Sequence, residues 1–169
     1  PGRALWRLKK PEEIAVVSAT STTTHTGEYM RPATGIGQVH ALAISAQSLN
    51  STYGHLNLQH IYFSSQPLNH LIENDLLLLG GPKNNQISRK LLESLSDMQP
   101  VCQEGSLIYW RENKGGFWDK EDGILFKGEV ENETVVKDYG IIIRTHNPFS
   151  SASDESSTAV LLSGCHTYG

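Results

Sequence analysis

The most continuous apolar segment of the chain is the run of four leucines from Leu76 to Leu79. The run is too short to cross a membrane, and it lacks the alternation that is typical of a half-exposed strand. It therefore predicts a central strand that is buried on both faces of a mainly parallel sheet. Gly80-Gly81-Pro82 ends this strand, because glycine accepts positive φ angles and proline has no N–H group for a ladder.

A helical pattern follows the glycine turn. Apolar residues recur with helical spacing at Ile87, Leu91, Leu92 and Leu95, and Asn85 precedes them as the predicted N-cap. Strand, glycine turn and helix N-terminus in this order are typical of ligand sites in open α/β sheets, because free N–H groups and the helix dipole point there.

Further apolar runs predict strands at residues 14–18, 60–64, 138–143 and 159–163, and we expect residues 138–143 to be buried. Gly35-x-Gly37 opens a predicted helix that ends near Tyr53-Gly54, with Val39, Leu42, Ala43, Ala46 and Leu49 on one stripe. Short links between residues 106–110, 123–130 and 134–144 predict antiparallel strands. The fold class expected from these patterns is α/β: a three-layer, Rossmann-like domain whose mostly parallel sheet has an antiparallel addition near residues 106–144.

Composition narrows the classes of partner. The chain has 169 residues, 38% hydrophobic and 19% charged, which suits one soluble domain. A formal net charge of -4 predicts neither nucleic-acid nor membrane binding. Two cysteines make no disulfide framework, so a cytoplasmic location is expected. The strand-and-turn pattern near Gly169 normally leads into a helix, so we expect this sequence to be a fragment of a longer multidomain chain. Other domains of the same polypeptide are then expected partners, and a homo-oligomer stays open.

The candidate ligand-binding residues follow predicted strands. A hydroxyl-rich loop follows the first strand. Its serine and threonine side chains suit the phosphate or ribose oxygens of a ligand, and they suit an ordinary solvated loop equally well. Lys83 and Arg31 suit phosphate groups, and Asn84 or Asn85 suits a ribose or base edge. Carboxyl ends of parallel strands meet at one sheet edge, so we expect these residues to converge on a phosphorylated, sugar-bearing ligand. The predicted ligand-binding set is Thr20, Ser21, Arg31, Gly35, Gly37, Gly80, Gly81, Lys83, Asn84 and Gly164. Glu28 is the candidate general base or ribose contact.

Two segments carry a family resemblance: Leu-Leu-Leu-Leu-Gly-Gly-Pro-Lys-Asn-Asn from Leu76, and Val-Leu-Leu-Ser-Gly-Cys-His-Thr-Tyr-Gly from Val160. They look like strand ends of the Rossmann-like nucleotide-sensing or nucleotide-cleaving domains of bacterial signalling and defence proteins, including the TIR and LOG/DprA-like groups. The resemblance implies recognition of NAD or a nucleotide second messenger, and leaves N-glycosidic hydrolysis open, with Glu28 as the catalytic carboxylate. The Pro-Gly-Gly-x-Gly-Thr-x-x-Glu run of LOG enzymes is missing, which speaks against LOG-type hydrolysis of cytokinin nucleotides.

Two other classes stay open. Cys165 and His146 each follow a predicted strand, and this resembles the Cys–His pair of caspase-like and CHAT peptidases. A non-catalytic protein-docking domain would use the glycine turns for the fold alone. No metal site is predicted, because the histidines show no helical ligand spacing.

Overall fold

A computed structural model describes residues 2–20, 22–26, 29–54, 56–97, 108–111, 116–119, 122–151 and 157–165 of the chain. Its α-helices are α1 (Gly2–Trp6), α2 (Ile36–Tyr53) and α3 (Gln86–Asp97), and short 3₁₀ helices span Pro11–Glu13 and Asn69–Glu73. Its strands are β1 (Ala15–Ser18), β2 (Thr22–Thr26), β3 (Tyr29–Ala33), β4 (His60–Phe63), β5 (Leu76–Leu79), β6 (Ile108–Arg111), β7 (Gly116–Asp119), β8 (Leu125–Lys127), β9 (Glu129–Glu131), β10 (Thr134–Lys137), β11 (Gly140–His146) and β12 (Thr158–Gly164).

The main sheet has five strands in the order β4-β1-β5-β12-β11. The first four are parallel, and β11 joins the edge antiparallel to β12. Chain order reverses at the β1–β5 pair, since β4 lies on one side of it and β12 on the other. The structure therefore has the α/β, mostly parallel architecture that the sequence predicts, and a topological switch point lies between β1 and β5.

The leucine strand lies at the centre of the sheet. Leu76 to Leu79 are each 0% exposed, which confirms a strand buried on both faces. Leu76 and Leu78 pack in one apolar cluster with Leu91 of α3, while Leu77 and Leu79 pack in a second cluster with Leu49 of α2. The two helices thus cover opposite faces of the sheet, as a three-layer domain requires.

Asp75 anchors the amino-terminal end of β5. This carboxylate is 2% exposed and accepts three backbone N–H bonds: from Lys9 at 2.7 Å, from Lys10 at 2.8 Å and from Thr158 at 2.7 Å. It therefore ties β12 and the segment before β1, residues 2–14, to the central strand. We call residues 2–14 the lead-in segment. The lead-in segment contains α1, whose Trp6 is 2% exposed and belongs to the α2-side core.

Asn85 anchors the carboxyl-terminal end of the same strand. Its side-chain amide donates to the carbonyl oxygens of Val17 at 3.0 Å and Leu79 at 3.2 Å. Its Oδ1 accepts the backbone N–H groups of Ile87 and Ser88, both at 3.1 Å, which confirms Asn85 as the N-cap of α3. One side chain that is 0% exposed therefore joins β1, β5 and α3.

The antiparallel region differs in detail from the prediction. Residues 134–144 form two strands, β10 and β11, in different sheets, and β7 is a strand that the sequence reading did not assign. β6, β7 and β8 form their own three-stranded sheet, and β9 pairs with β10. Ile142 is 61% exposed. The prediction of a buried strand at residues 138–143 was wrong, because β11 is an edge strand whose residues alternate between exposed and half-buried.

Two further expectations need correction. Part of the predicted hydroxyl-rich loop forms β2, which pairs with β3 as a hairpin. Its threonines are β-branched residues that suit strands. On α2, Val39 is 47% exposed, whereas Ser45 and Leu49 are buried. Leu42 and Leu49 of the predicted stripe thus pack in the core on this side of the sheet, while Val39 does not, and Ser45 is buried in its place.

We expect Asn85→Ala to lower the free energy of unfolding by about 2–4 kcal/mol, because it removes a helix cap and two hydrogen bonds to buried carbonyl groups. Asn84→Ala is the matched control, since the Asn84 side chain is exposed and makes no hydrogen bond within the described residues. Urea unfolding followed by circular dichroism measures both variants. Equal losses in the two would contradict the anchoring role of Asn85.

Candidate functional site

A cleft of about 620 Å³ lies where the first half of α2 faces the carboxyl-terminal ends of β5 and β12. We call it the large cleft, and its volume is typical of small-molecule sites. Its lining combines the helix, the loop after β5, the start of β11 and the end of β12. The lining residues are Gly37, Gln38, Ala41, Ile44, Ser45, Gly80, Gly81, Lys83, Asn84, Gly140, Ile141, Ile142, Leu162, Ser163, Gly164 and Cys165.

The sheet register explains the open space in the large cleft. Gly140 of β11 pairs with Gly164 of β12, so two residues without side chains lie next to each other at the sheet edge. In the adjacent row Ile142 pairs with Leu162, and Leu162 pairs with Leu79. The cleft has an apolar wall that consists of Ile142, Leu162 and Ile44 of α2, which is 67% exposed.

The start of α2 gives the large cleft a polar end. Gly35 is the N-cap residue, no side chain caps this helix, and no acidic residue lies in its first turn. The Gly35 carbonyl accepts N–H bonds from Gln38 at 3.2 Å and Val39 at 3.4 Å. Within the described residues, nothing accepts a hydrogen bond from the N–H groups of Ile36 and Gly37. Free amides and the positive end of the helix dipole suit an anion here.

Two buried polar atoms in the lining have no hydrogen-bond partner within the described part of the chain. They are Oγ of Ser163, a residue only 6% exposed, and Oε1 of Gln38. Unsatisfied buried groups of this kind are rare, and they point to a missing partner such as a ligand or water. Sequence reasoning missed both residues, although each lies within two positions of a predicted glycine: Gln38 follows Gly37, and Ser163 precedes Gly164.

The loop after β5 contributes several of the predicted residues to the large cleft. Gly81, Lys83 and Asn84 line the large cleft with Gly37 and Gly164, so the structure brings together residues from three predicted segments. Lys83 is exposed, and within the described residues no hydrogen bond uses the N–H group of Gly81.

Gly80 has a structural role instead of the predicted phosphate contact. Its N–H group donates to the Leu162 carbonyl at 2.9 Å and continues the ladder between β5 and β12. Its φ angle is +97°, and a Cβ atom here would lie 2.6 Å from Cβ of Ala19. The proposed phosphate contact through this amide was wrong, and the glycine is required by backbone conformation and close packing.

The remaining candidates lie apart from the large cleft or outside the described residues. The Thr20 hydroxyl lies 3.4 Å from that of Ser64 and donates to that of Ser65 at 3.1 Å, so it joins the ends of β1 and β4 and is not in the cleft lining. Gly35 contributes as the N-cap of α2. Ser21 and Glu28 lie outside the described residues, as does the side chain of Arg31 on β3.

The structure excludes a catalytic pair of His146 and Cys165. His146 pairs with Thr158 at one end of the antiparallel ladder, and Cys165 follows Gly164 at the other end. The six steps from Thr158 to Gly164 correspond to roughly 20 Å at the usual rise of a strand. The two side chains therefore lie at opposite ends of the sheet, far beyond hydrogen-bonding reach.

Cys165 also lacks the environment of an activated thiol. Burial raises the pKa of this thiol, and the nearby carboxylate of Asp138 raises the pKa further. Its Sγ donates to the Phe126 carbonyl oxygen at 3.5 Å. A raised pKa leaves little of the reactive thiolate at neutral pH.

We expect iodoacetamide to alkylate Cys165 slowly at pH 7, and the rate to rise as the pH increases toward and beyond 9, because only the thiolate reacts. His146→Ala should leave the rate unchanged at every pH. Peptide mass spectrometry of quenched time points measures the rate at Cys165 itself. Fast alkylation at pH 7 that slows in His146→Ala would contradict the separation seen in the sheet.

The residues that the structure describes contain no group of three histidine, cysteine, aspartate or glutamate side chains that suits a metal ion. None of the described helices is both long enough and apolar enough to cross a membrane. A scan against protein-family models, a search of curated proteins and a search of solved structures each found no match to this chain.

Proposed function

We propose that this domain recognises a nucleotide-type ligand, such as NAD or a nucleotide second messenger, in the large cleft. The ligand phosphates lie at the start of α2, and the base lies against the apolar wall. In this proposal the domain is a module of a larger cytoplasmic signalling or defence protein.

The proposal rests on the two buried polar atoms without partners. Ser163 and Gln38, the residues that carry these atoms, both line one cleft at the carboxyl ends of parallel strands, where open α/β sheets bind ligands. Leaving such groups unpaired costs about 1–3 kcal/mol each. A ligand that supplies a hydrogen bond to each of them would recover that free energy on binding.

Charge complementarity supports an anionic ligand. Lys83 is exposed and lines the large cleft together with Gly81 and Gly37, whose N–H groups have no hydrogen-bond partner within the described residues. A lysine ammonium acts as a point charge toward phosphate, and the free N–H groups supply directional bonds. Among the residues that the structure describes, no aspartate or glutamate belongs to the lining of the large cleft.

These features of the large cleft support binding of a nucleotide more directly than its hydrolysis. N-glycosidic cleavage requires a carboxylate near the reacting ribose, and its candidate, Glu28, lies outside the described residues. Hydrolysis of the ligand by Glu28 therefore stays a prediction. A non-catalytic docking domain is the outcome that a failure of nucleotide binding would favour.

We expect the purified chain to be stabilised by about 2.7 kcal/mol at a nucleotide concentration 100 times Kd, visible as a thermal shift. The panel contains NAD, ADP-ribose, ATP and cyclic dinucleotides. For the nucleotide that binds, Lys83→Ala should weaken the affinity about tenfold, because it removes a charge-assisted contact. Lys90→Ala is the control, since Lys90 is an exposed α3 residue outside the cleft lining. No shift with any nucleotide, or an unchanged affinity in Lys83→Ala, would contradict the proposal.

We expect Ser163→Ala to leave the stability of the ligand-free protein unchanged or slightly raised, because its hydroxyl has no hydrogen-bond partner within the described residues. The same change should weaken nucleotide binding about tenfold by removing a buried hydrogen bond to the ligand. Ser157→Ala is the matched control: this serine is 3% exposed, and its hydroxyl donates to the Glu73 carbonyl at the opposite sheet edge.

Ser157→Ala should therefore lower the melting temperature without altering the affinity. Calorimetry of the free proteins and titration with the nucleotide separate these two effects. A loss of stability in Ser163→Ala with unchanged affinity would show that this hydroxyl serves the fold and not a ligand.

A further inference from the structure

A second cavity lies on the other side of α2. It has a volume of about 260 Å³ and opens between this helix and the ends of β1 and β4; we call it the small cavity. Its apolar lining includes Val39 and Leu42 of α2 and Ile61 and Phe63 of β4. Alone it is below the usual size of a small-molecule site, but it is large enough for part of a ligand.

Gln38 belongs to the linings of both cavities. Its amide lies over the loop after β5, since a Cβ atom on Gly80 would come within 3.3 Å of its Nε2. The first turn of α2 therefore lies between the large cleft and the small cavity, above the switch point between β1 and β5. The unpartnered Oε1 of Gln38 is buried at this junction.

The two cavities and the junction between them differ in chemistry. Each cavity offers apolar surface, from Ile44 and Ile142 on one side and from Val39 and Ile61 on the other. The junction offers the N–H groups of Ile36 and Gly37, which have no partner within the described residues. Apolar surface suits rings, and free amides at a helix start suit a phosphate group.

From this arrangement we infer that the ligand is a dinucleotide, two nucleosides joined through a diphosphate, which occupies both cavities at once. The inference rests on the proposed nucleotide function. The diphosphate lies at the first turn of α2, one nucleoside fills the large cleft, and the ring of the other enters the small cavity. Ser18 and Thr34, whose hydroxyl groups hydrogen-bond to each other at 3.0 Å, line the small cavity and supply the polar groups for the second ribose.

A two-part site predicts a specific affinity pattern. NAD should bind at least tenfold more tightly than ADP, because its second nucleoside adds contacts in the small cavity at little further entropic cost. ADP itself should occupy the large cleft. Isothermal titration calorimetry with NAD and with ADP measures both affinities on the full chain.

Three tryptophan substitutions on the surface of α2 separate the compartments. Val39→Trp fills the small cavity and should reduce the affinity for NAD to that for ADP, while ADP binding stays within twofold. Ile44→Trp fills the large cleft and should weaken both ligands at least tenfold. Gln47→Trp is the control, since Gln47 is exposed on the same helix and lines neither cavity.

The outcomes distinguish this inference from the proposed function. Equal affinities for NAD and ADP, with both lost in Ile44→Trp, would overturn the two-part site and leave nucleotide binding in place. A tenfold advantage for NAD that persists in Val39→Trp would also overturn it, because the second nucleoside would then bind elsewhere. Failure of both NAD and ADP to bind would overturn the inference and count against the proposed function.

Discussion

The buried side chain of Asn85 is the contact on which the arrangement of this domain depends. Its amide bonds to β1 and β5, and its oxygen caps α3, so one residue fixes two strands and a helix at the switch point. In the loop that contains Asn85, the Asn84 carbonyl accepts a hydrogen bond from the Thr20 N–H group. At the start of this loop, the Gly80 N–H group donates to the Leu162 carbonyl of β12. Hydrogen bonds that satisfy buried polar groups hold the end of the sheet in a single conformation.

This bonding also decides on which side of the sheet a ligand is expected. The Oδ1 atom of Asn85 already accepts hydrogen bonds from two N–H groups in the first turn of α3, so this helix has fewer N–H groups left to bind an anion. In the part of the chain that the structure describes, no side chain caps α2, and the large cleft adjoins its first turn. Of two helices that start beside the switch point, only the uncapped one combines free amides with adjoining cavities in the described structure. Gln38, whose Oε1 has no partner within the described residues, belongs to that helix, and Ser163 lines the same cleft.

Local patterns predicted the central elements of the fold. An unbroken run of leucines requires burial on both faces, and an asparagine before an apolar helical stripe is a cap; both follow from short-range chemistry. The glycine turn after β5 was predicted for the same reason, yet the role of Gly80 was not. Its amide completes a ladder with β12, and its missing side chain makes room for Ala19. Both partners are distant in sequence, so no local pattern indicates them.

By itself the sequence determined the α/β class, the buried strand, the cap at Asn85 and three of the segments that border the large cleft. Only the tertiary structure decided the cleft itself. The β11–β12 register places Gly140 beside Gly164, which opens its floor, and sends His146 and Cys165 to opposite ends of the sheet. The position of α2 brings Gln38 to Gly80 and makes Ile44 part of an apolar wall. Strand register and helix position are set by packing between distant segments, and a shift of one residue would reverse which side chains face the site.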